Sequence, residues 1–430
     1  MTSLEQLETF RQSVYALLGN GRDALFDLMD AVVVSRSVSS FAEFSLSPVF
    51  RRQWPSLYEA VADSHAPRPE LLKLYVQHLP QQHPLVLAGD HTAWPRLYAK
   101  TLKDRTYEHQ AQPLSGRKPV TVGQGYSTLA WIPEAAGSWA LPLLHERITS
   151  FETPITKATA QLEAVCAQLS SRPLSLWDAE YGCAPFIVQS ATIECDKLIR
   201  VRPNRVLYTA PPDYAGRGRP RKHGAKFKLN DERTWGQPEQ SLEVTSDSLG
   251  PLQVHLWQNL HFYQSASHPM HLIQMRRLSD KQTQRPLWLV WVGQTLPPLQ
   301  QLWQFYLRRF AIDHWYRFLK QRLHWSLPRF ATPEQGQNWS ELMPILTWQL
   351  WLARSLVTQA PLPWQKPLPV PSAGRVADSF ATLLIRIGSP APDPKPRGKS
   401  PGWPPGRLRT RRIRYPTVKK GFKKPKNSTL

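Results

Sequence analysis

Tyr306, Arg309, Asp313 and Lys320 are spaced so that one helix over residues 306–325 would carry all four on one side. At about 100° per residue they fall within roughly 60° of one another. Phe305, Ile312, Trp315, Leu319 and Leu323 fall on a separate apolar arc, centred more than about 90° away, that can pack on a core. A carboxylate flanked by an aromatic ring and two cations suits a site that holds phosphate groups. Two more aspartates precede it, each after an apolar run: Asp90 in LVLAGD and Asp178 in LSLWDAEYG. Phosphoryl transfer on a nucleic-acid backbone uses a pair of hard cations about 4 Å apart, one activating the attacking oxygen and one stabilising the leaving oxygen. Mg²⁺ or Mn²⁺ takes oxygen ligands and keeps waters and substrate phosphates in its shell. Few carboxylates are needed, provided they converge from rigid elements.

The flanking pattern predicts such elements. Residues 85–88 (LVLA) read as a buried strand ending at Gly89-Asp90, and residues 174–177 as another ending at Asp178. Residues 120–132 and 138–148 read as a hairpin across the turn signal PEAAG. A helix is expected over 155–169, with Pro154 in its first turn, and another from about 183 to 190. Residues 197–202 and 286–293 read as further strands. The charged stretch 94–109 reads as a loop. This order predicts a mixed α/β sheet with an antiparallel part.

The predicted organisation has five parts. Residues 1–80 carry helical spacing and form a small N-terminal domain, a candidate for DNA binding. Residues 81–207 form the first part of the catalytic core. Residues 208–285, rich in Pro, Gly and short β-like runs, form a β-rich insertion. Residues 286–360 complete the core and include the Asp313 helix. Residues 361–430 form a Pro-rich basic tail, expected to be disordered alone. From Arg386 onward the tail carries fourteen Lys or Arg against one acid, Asp393. It would hold polyphosphate backbones.

The 430 residues carry a net charge of +22, with 54 Lys and Arg against 32 Asp and Glu. Charge of this sign spread along a chain points to a polyanion, most commonly nucleic acid. No run of about 18 apolar residues occurs, so no membrane span is expected. The start, MTSLEQLETFRQSV, lacks a charged region followed by an apolar core, so no secretory signal is expected. Cys166, Cys183 and Cys195 form no CxxC pair, which argues against a zinc-ribbon nuclease and suits a reducing compartment.

The three acids in this order resemble the DDE transposases of bacterial insertion sequences, which have an RNase H-like core. The nearest branch carries its third acid in a Tyr–Arg–Glu–Lys signature, Y-x₂-R-x₃-E-x₆-K. Tyr306, Arg309, Asp313 and Lys320 hold that spacing, while GDHTAW and LWDAEYG are similar to the first- and second-acid segments. The resemblance covers roughly residues 80–330. It implies metal-dependent cleavage at the terminal inverted repeats of a mobile element and strand transfer into target DNA. Asp90, Asp178 and Asp313 would bind two Mg²⁺ or Mn²⁺ ions. Arg309 and Lys320 would hold DNA phosphates, and Tyr306 would pack on or bond the backbone. It further implies a homodimer on double-stranded DNA, no membrane, and a bacterial cytoplasm with nucleoid association. Some relatives stack a flipped base on Trp; Trp235, Trp257, Trp288 and Trp291 are the candidates. One position departs from the pattern, because the usual Glu is Asp313. One methylene fewer draws the carboxylate back by about 1.5 Å, where roughly 1 Å of misplacement can cost about 100-fold in rate.

A second motif, GRGRPRK, resembles the AT-hook, whose Arg-Pro core fits a narrow minor groove. Arg217, Arg219, Arg221 and Lys222 are its candidate DNA contacts; contact with phosphates alone is the alternative. Arg309 and Asp313 also have the i,i+4 spacing of an ordinary surface ion pair. Asp90 and Asp178 could be turn residues after strands, with Glu180 and Asp104 nearby as rival acids. Two other functions therefore stay open: a catalytically inactive DNA-binding descendant of a transposase, and an RNase H-fold nuclease that cuts without joining.

Overall fold

The computed structural model describes residues 2–65, 67–81, 84–109, 119–214, 216, 218–246, 249–278, 285–358, 363–365, 368, 370–396, 402, 404–408 and 410–421. It opens with four helices: α1 (Ser3–Leu17), α2 (Arg22–Val34), α3 (Pro55–Asp63) and α4 (Arg68–Gln77). Thr2 and Glu5 close a capping box on α1 and so satisfy its first free amides. Arg11 on α1 is 2% exposed and makes a bidentate pair with Asp30 on α2 at 2.8 and 2.9 Å. The same guanidinium donates to Gln349 Oε1 at 2.8 Å and to the Gly388 carbonyl at 3.0 Å. Three groups distant in sequence from one another thus share one buried cation.

The sheet that follows contains β1 (Val86–Pro95), β2 (Thr106–His109), β3 (Val120–Trp131), β4 (Leu141–Ile148), β5 (Leu174–Trp177) and β6 (Asp196–Val201). Helix α5 (Pro154–Cys166) lies between β4 and β5 in the chain, and α6 (Ala184–Gln189) between β5 and β6. A short pair, β7 (Val206–Tyr208) and β8 (Lys226–Lys228), stands apart as its own two-stranded sheet. Then come β9 (Gln240–Ser246), β10 (Gly250–Leu260), β11 (Met270–Arg277) and β12 (Leu287–Val292). The large sheet runs β2-β3-β1-β5-β6-β12-β11-β10-β9, with β4 also paired to β3. β1, β5 and β6 are parallel and every other pairing is antiparallel. A mixed sheet of this kind fits an RNase H-like core. Most of the expected β-rich insertion, β9 to β11, continues the same sheet rather than standing beside it.

Four more helices complete the described fold: α7 (Leu299–Arg308), α8 (Phe310–Gln321), α9 (Pro333–Ala353) and α10 (Ala373–Ile387). α9 is buried along nearly its whole length between β4 and the N-terminal helices. The single helix expected over 306–325 is instead two. Arg309 keeps helical angles, φ −56° and ψ −31°, but its amide bonds to the Tyr306 carbonyl three residues back, which tightens the turn between α7 and α8.

The tail also differs from a disordered segment. α10 has an apolar face, Val376, Ala377, Phe380, Leu383 and Leu384, buried against α2 and α9. Further on, Tyr415, Val418 and Gly421 bond through their amides to the main chain of Lys100, Arg105 and Ser150. Periodicity at 373–387 is an ordinary amphipathic pattern that the Pro-rich flanks obscure. The later contacts depend on main-chain partners supplied by distant turns and loops. Among the described residues, no helix is long and apolar enough to cross a membrane.

Candidate active site

The register of the two parallel strands brings Asp90 and Asp178 together. β1 and β5 pair as Val86↔Leu174 through Gly89↔Trp177, so the next step sets Asp90 beside Asp178. Neighbouring strands lie about 4.8 Å apart. The alignment depends on a glycine. The Trp177 ring fills the place of the side chain Gly89 lacks, and a Cβ there would meet ring carbons at 2.0 and 2.2 Å. Asp90 was expected at a strand end, and for β5 alone this holds. Against β3, however, β1 pairs from Leu87↔Trp131 to Pro95↔Gly123, so Asp90 sits in mid-strand opposite Thr128. The long β3 carries β1 past the point where β5 stops. Asp178 does end its strand, in a turn where its Oδ1 accepts the Glu180 amide at 2.8 Å.

Asp313, near the start of α8, reaches this pair through Arg309. The Arg309 guanidinium lies 3.4 Å from Asp90 Oδ2 and 3.1 Å from Asp313 Oδ2. Burial disfavours the Arg309 charge, but Asp90, Tyr306 and Asp313 outweigh it and hold its pKa above the ordinary value. Burial pushes the Asp90 carboxyl up to about 6; Arg309 and His91 pull it down, and the like charge of Asp178 pushes it up. Asp178 is thus near enough for its charge to act on Asp90.

Other side chains fix the helix to the strand. Tyr316, buried on α8, donates to the Asp90 carbonyl at 3.0 Å and lies 2.9 Å from Thr128 Oγ1. Thr128 Oγ1 is in turn 2.8 Å from His145 Nδ1. Lys320 donates to Thr92 Oγ1 at 2.6 Å; burial lowers its pKa against the pull of Asp90. His91 stands between Asp90, Tyr181 and Glu180, with its Nε2 3.6 Å from Glu180 Oε2. Sequence reasoning passed over Tyr316 and His91. Tyr316 was within reach, since it lies one turn beyond Asp313 on the same helix. Alternation alone would have aimed His91 at the opposite face of β1.

Several expected contacts differ. Tyr306 is 2% exposed, and burial raises its pKa with Arg309 as a polar neighbour. It supports Arg309 from the core rather than presenting itself to a DNA backbone. Arg309, 7% exposed, is engaged by carboxylates rather than open to phosphates. Trp257, Trp288 and Trp291 are at most 5% exposed, and half-buried Trp235 packs on Phe227, Trp257 and Trp288. Trp257, Trp288 and Trp291 are core residues with no open face for a base, and Trp235 packs against that core with part of its surface exposed. Asp104 belongs elsewhere, paired with Arg147. On the hairpin loop between β7 and β8, Arg219, Arg221 and Lys222 are exposed, while Arg217 lies outside the described residues.

Among the described residues, no three His, Cys, Asp or Glu side chains gather closely enough to hold a metal. Asp90 and Asp178 by themselves fit a hard divalent cation, as adjacent all-oxygen donors whose repulsion a cation would relieve. Asp313 is drawn into the Arg309 pair.

A family model described as DDE superfamily endonuclease matches residues 14–259, more than half of the chain. The chain belongs to the DDE superfamily endonucleases. The matched stretch contains Asp90 and Asp178 and stops short of α8, so Asp313 lies beyond it. A DDE endonuclease takes DNA as substrate, and domains of this kind generally use divalent metals. No curated protein matches the chain.

Proposed function

We propose that this DDE endonuclease is a transposase of a bacterial insertion sequence, of the Tyr–Arg–Glu–Lys branch. On this reading it cuts double-stranded DNA at terminal inverted repeats and joins the ends to target DNA. The observation that carries the reading is the side-by-side register of Asp90 and Asp178, with Asp313 tied to them through Arg309. Asp90 and Asp178 would hold Mg²⁺ or Mn²⁺, two ions in the full site. The metal would supply charge for the attacking and leaving oxygens. The chain's own part is to position. Tyr316 and Lys320 clamp α8 on β1, the Trp177–Gly89 contact sets the register, and Arg309 balances two carboxylates before DNA arrives. Arg309 and Lys320, once released from these partners, are the cations nearest the cut. Arg217, Arg219, Arg221 and Lys222 would contact DNA away from it. A homodimer on the two ends would pair the cuts.

The pairing of Asp313 with Arg309, together with its short side chain, favours a second reading: a DNA-binding descendant that no longer cuts. Cleavage of the element's own terminal repeats with Mg²⁺ separates the two. The transposase reading expects cleavage by wild type and none by Asp90→Ala; equal cleavage by both would sink it. Joined products distinguish a transposase from an RNase H-fold nuclease that only cuts.

A further inference from the structure

The chain's last described segment, residues 410–421, is pinned to one edge of the large sheet. The Tyr415 amide donates to the Lys100 carbonyl at 2.9 Å, Val418 to Arg105 at 2.8 Å and Gly421 to Ser150 at 2.8 Å. Arg105 returns a bond to the Tyr415 carbonyl at 3.2 Å, and Val418 forms a parallel bridge with Thr106 on β2. The segment thus covers part of an edge that would otherwise present free main-chain groups.

A charged latch locks it there. Glu108 on β2 is 3% exposed, and Lys420 Nζ donates to its Oε2 at 2.6 Å; Thr106 Oγ1 also donates to this carboxylate. The pair occupies space kept open by Gly125 on β3, where a Cβ would lie 2.7 Å from Glu108 Oε2 and 2.8 Å from Lys420 Nζ. A carboxylate this deep is costly without a cation, and Lys420 supplies it.

The latch fixes a row of unbalanced cations in place. Arg411, Arg412, Arg414 and Lys419 are exposed, and none pairs with a carboxylate among the described residues. Lys103, also exposed, extends the patch, with its Nζ 5.3 Å from the Tyr415 ring centre. Tyr98 and Tyr107, on the adjoining chain, are 84% and 52% exposed. Like charges held together on a folded surface repel one another unless a polyanion covers them.

We propose that this strap, residues 411–419 held by the Lys420–Glu108 latch, is a second DNA-binding surface that grips duplex phosphates away from the aspartates. The proposal rests on the DNA-directed reading of the Asp90 site, and its test is independent of cleavage. Binding of the full chain to a short labelled duplex is followed by fluorescence anisotropy in EDTA over a range of salt. Each lost phosphate contact should flatten the slope of log affinity against log salt by about 0.9, or about 2.7 for the triple variant Arg411→Gln/Arg412→Gln/Arg414→Gln. Lys420→Met keeps those arginines but frees the strap. It should speed tryptic cleavage after Arg414 and flatten the slope by a smaller amount. A triple variant with the wild-type slope would overturn the proposal and leave the strap a solvated charge run. Loss of cleavage in Asp90→Ala would be unaffected by that outcome.

Discussion

The guanidinium of Arg309 lies 3.4 Å from the carboxylate of Asp90, joining α8 to β1 through a charge that is itself buried. A second arm of the same guanidinium reaches Asp313. Arg309 therefore does in the free protein what a cation would do for Asp90 in the loaded one.

Arg309→Met should lower the melting temperature of the metal-free protein, because it leaves Asp90 buried without its main counter-charge. Breaking a buried pair from one side costs about 3–5 kcal/mol. Adding Mn²⁺ should raise the variant's melting temperature more than that of wild type, since the ion replaces the lost charge. An unchanged melting temperature in EDTA would show that the contact carries no compensation.

Asp313 is the one acid of the three with much of its side chain in solvent, 46%. Asp313→Glu extends the carboxylate by one methylene and should retain or raise cleavage. Asp313→Ala should abolish it. Normal cleavage by the alanine variant would move the third acid elsewhere, and Glu180, beside His91, would be the next residue to replace.

Gly89→Ala places a methyl group inside the Trp177 ring. Overpacking of this kind costs about 1–3 kcal/mol, and here it also pushes apart the strands that carry Asp90 and Asp178. The variant should show a lower urea midpoint together with reduced cleavage. Gly89→Ala/Trp177→Leu should recover part of the midpoint, because the ring is gone; no recovery would mean that the ring is not what requires the glycine.

His145 makes stability depend on pH. Burial, helped by the charge of Lys320, lowers its pKa to about 3, against about 6.5 in an unfolded chain. The folded protein keeps the ring neutral while the unfolded chain takes up a proton. Its contribution is therefore complete above about pH 6.5 and is lost as pH falls towards about 3, at about 1.4 kcal/mol per unit. Urea unfolding of wild type and His145→Gln at pH 7 and pH 5 reads this directly. The wild type should lose more stability between the two pH values than the variant does. Equal losses would contradict it.

Part of the candidate site's scaffold was legible in residue order. Hydrophobic runs ending in Asp90 and Asp178 marked two buried strands, and the spacing of Asp313 and Lys320 marked one helix, because both signals come from neighbours in the chain; that Tyr306 and Arg309 fall before a break between two helices was not marked. The direction in which those side chains would spend their charge was not legible. Tyr306 turned out to be core, and Arg309 a counter-ion to two carboxylates. Those outcomes depend on which elements lie opposite, and β1 lies 219 positions before Arg309 in the chain.

The same division holds across the fold. Local sequence determined the basic charge, the buried strands and the N-terminal helices, since periodicity and composition act over a few residues. Tertiary structure decided the rest. β2, four residues of TYEH in a charged stretch, is a strand because β3 offers it a partner. Its buried Glu108 is tolerable because Lys420, 312 positions later, meets it in the space that Gly125 leaves. Asp90 and Asp178 come near each other because parallel pairing of β1 and β5 in one register, with a ring over a glycine, carries two segments distant in sequence to the same place.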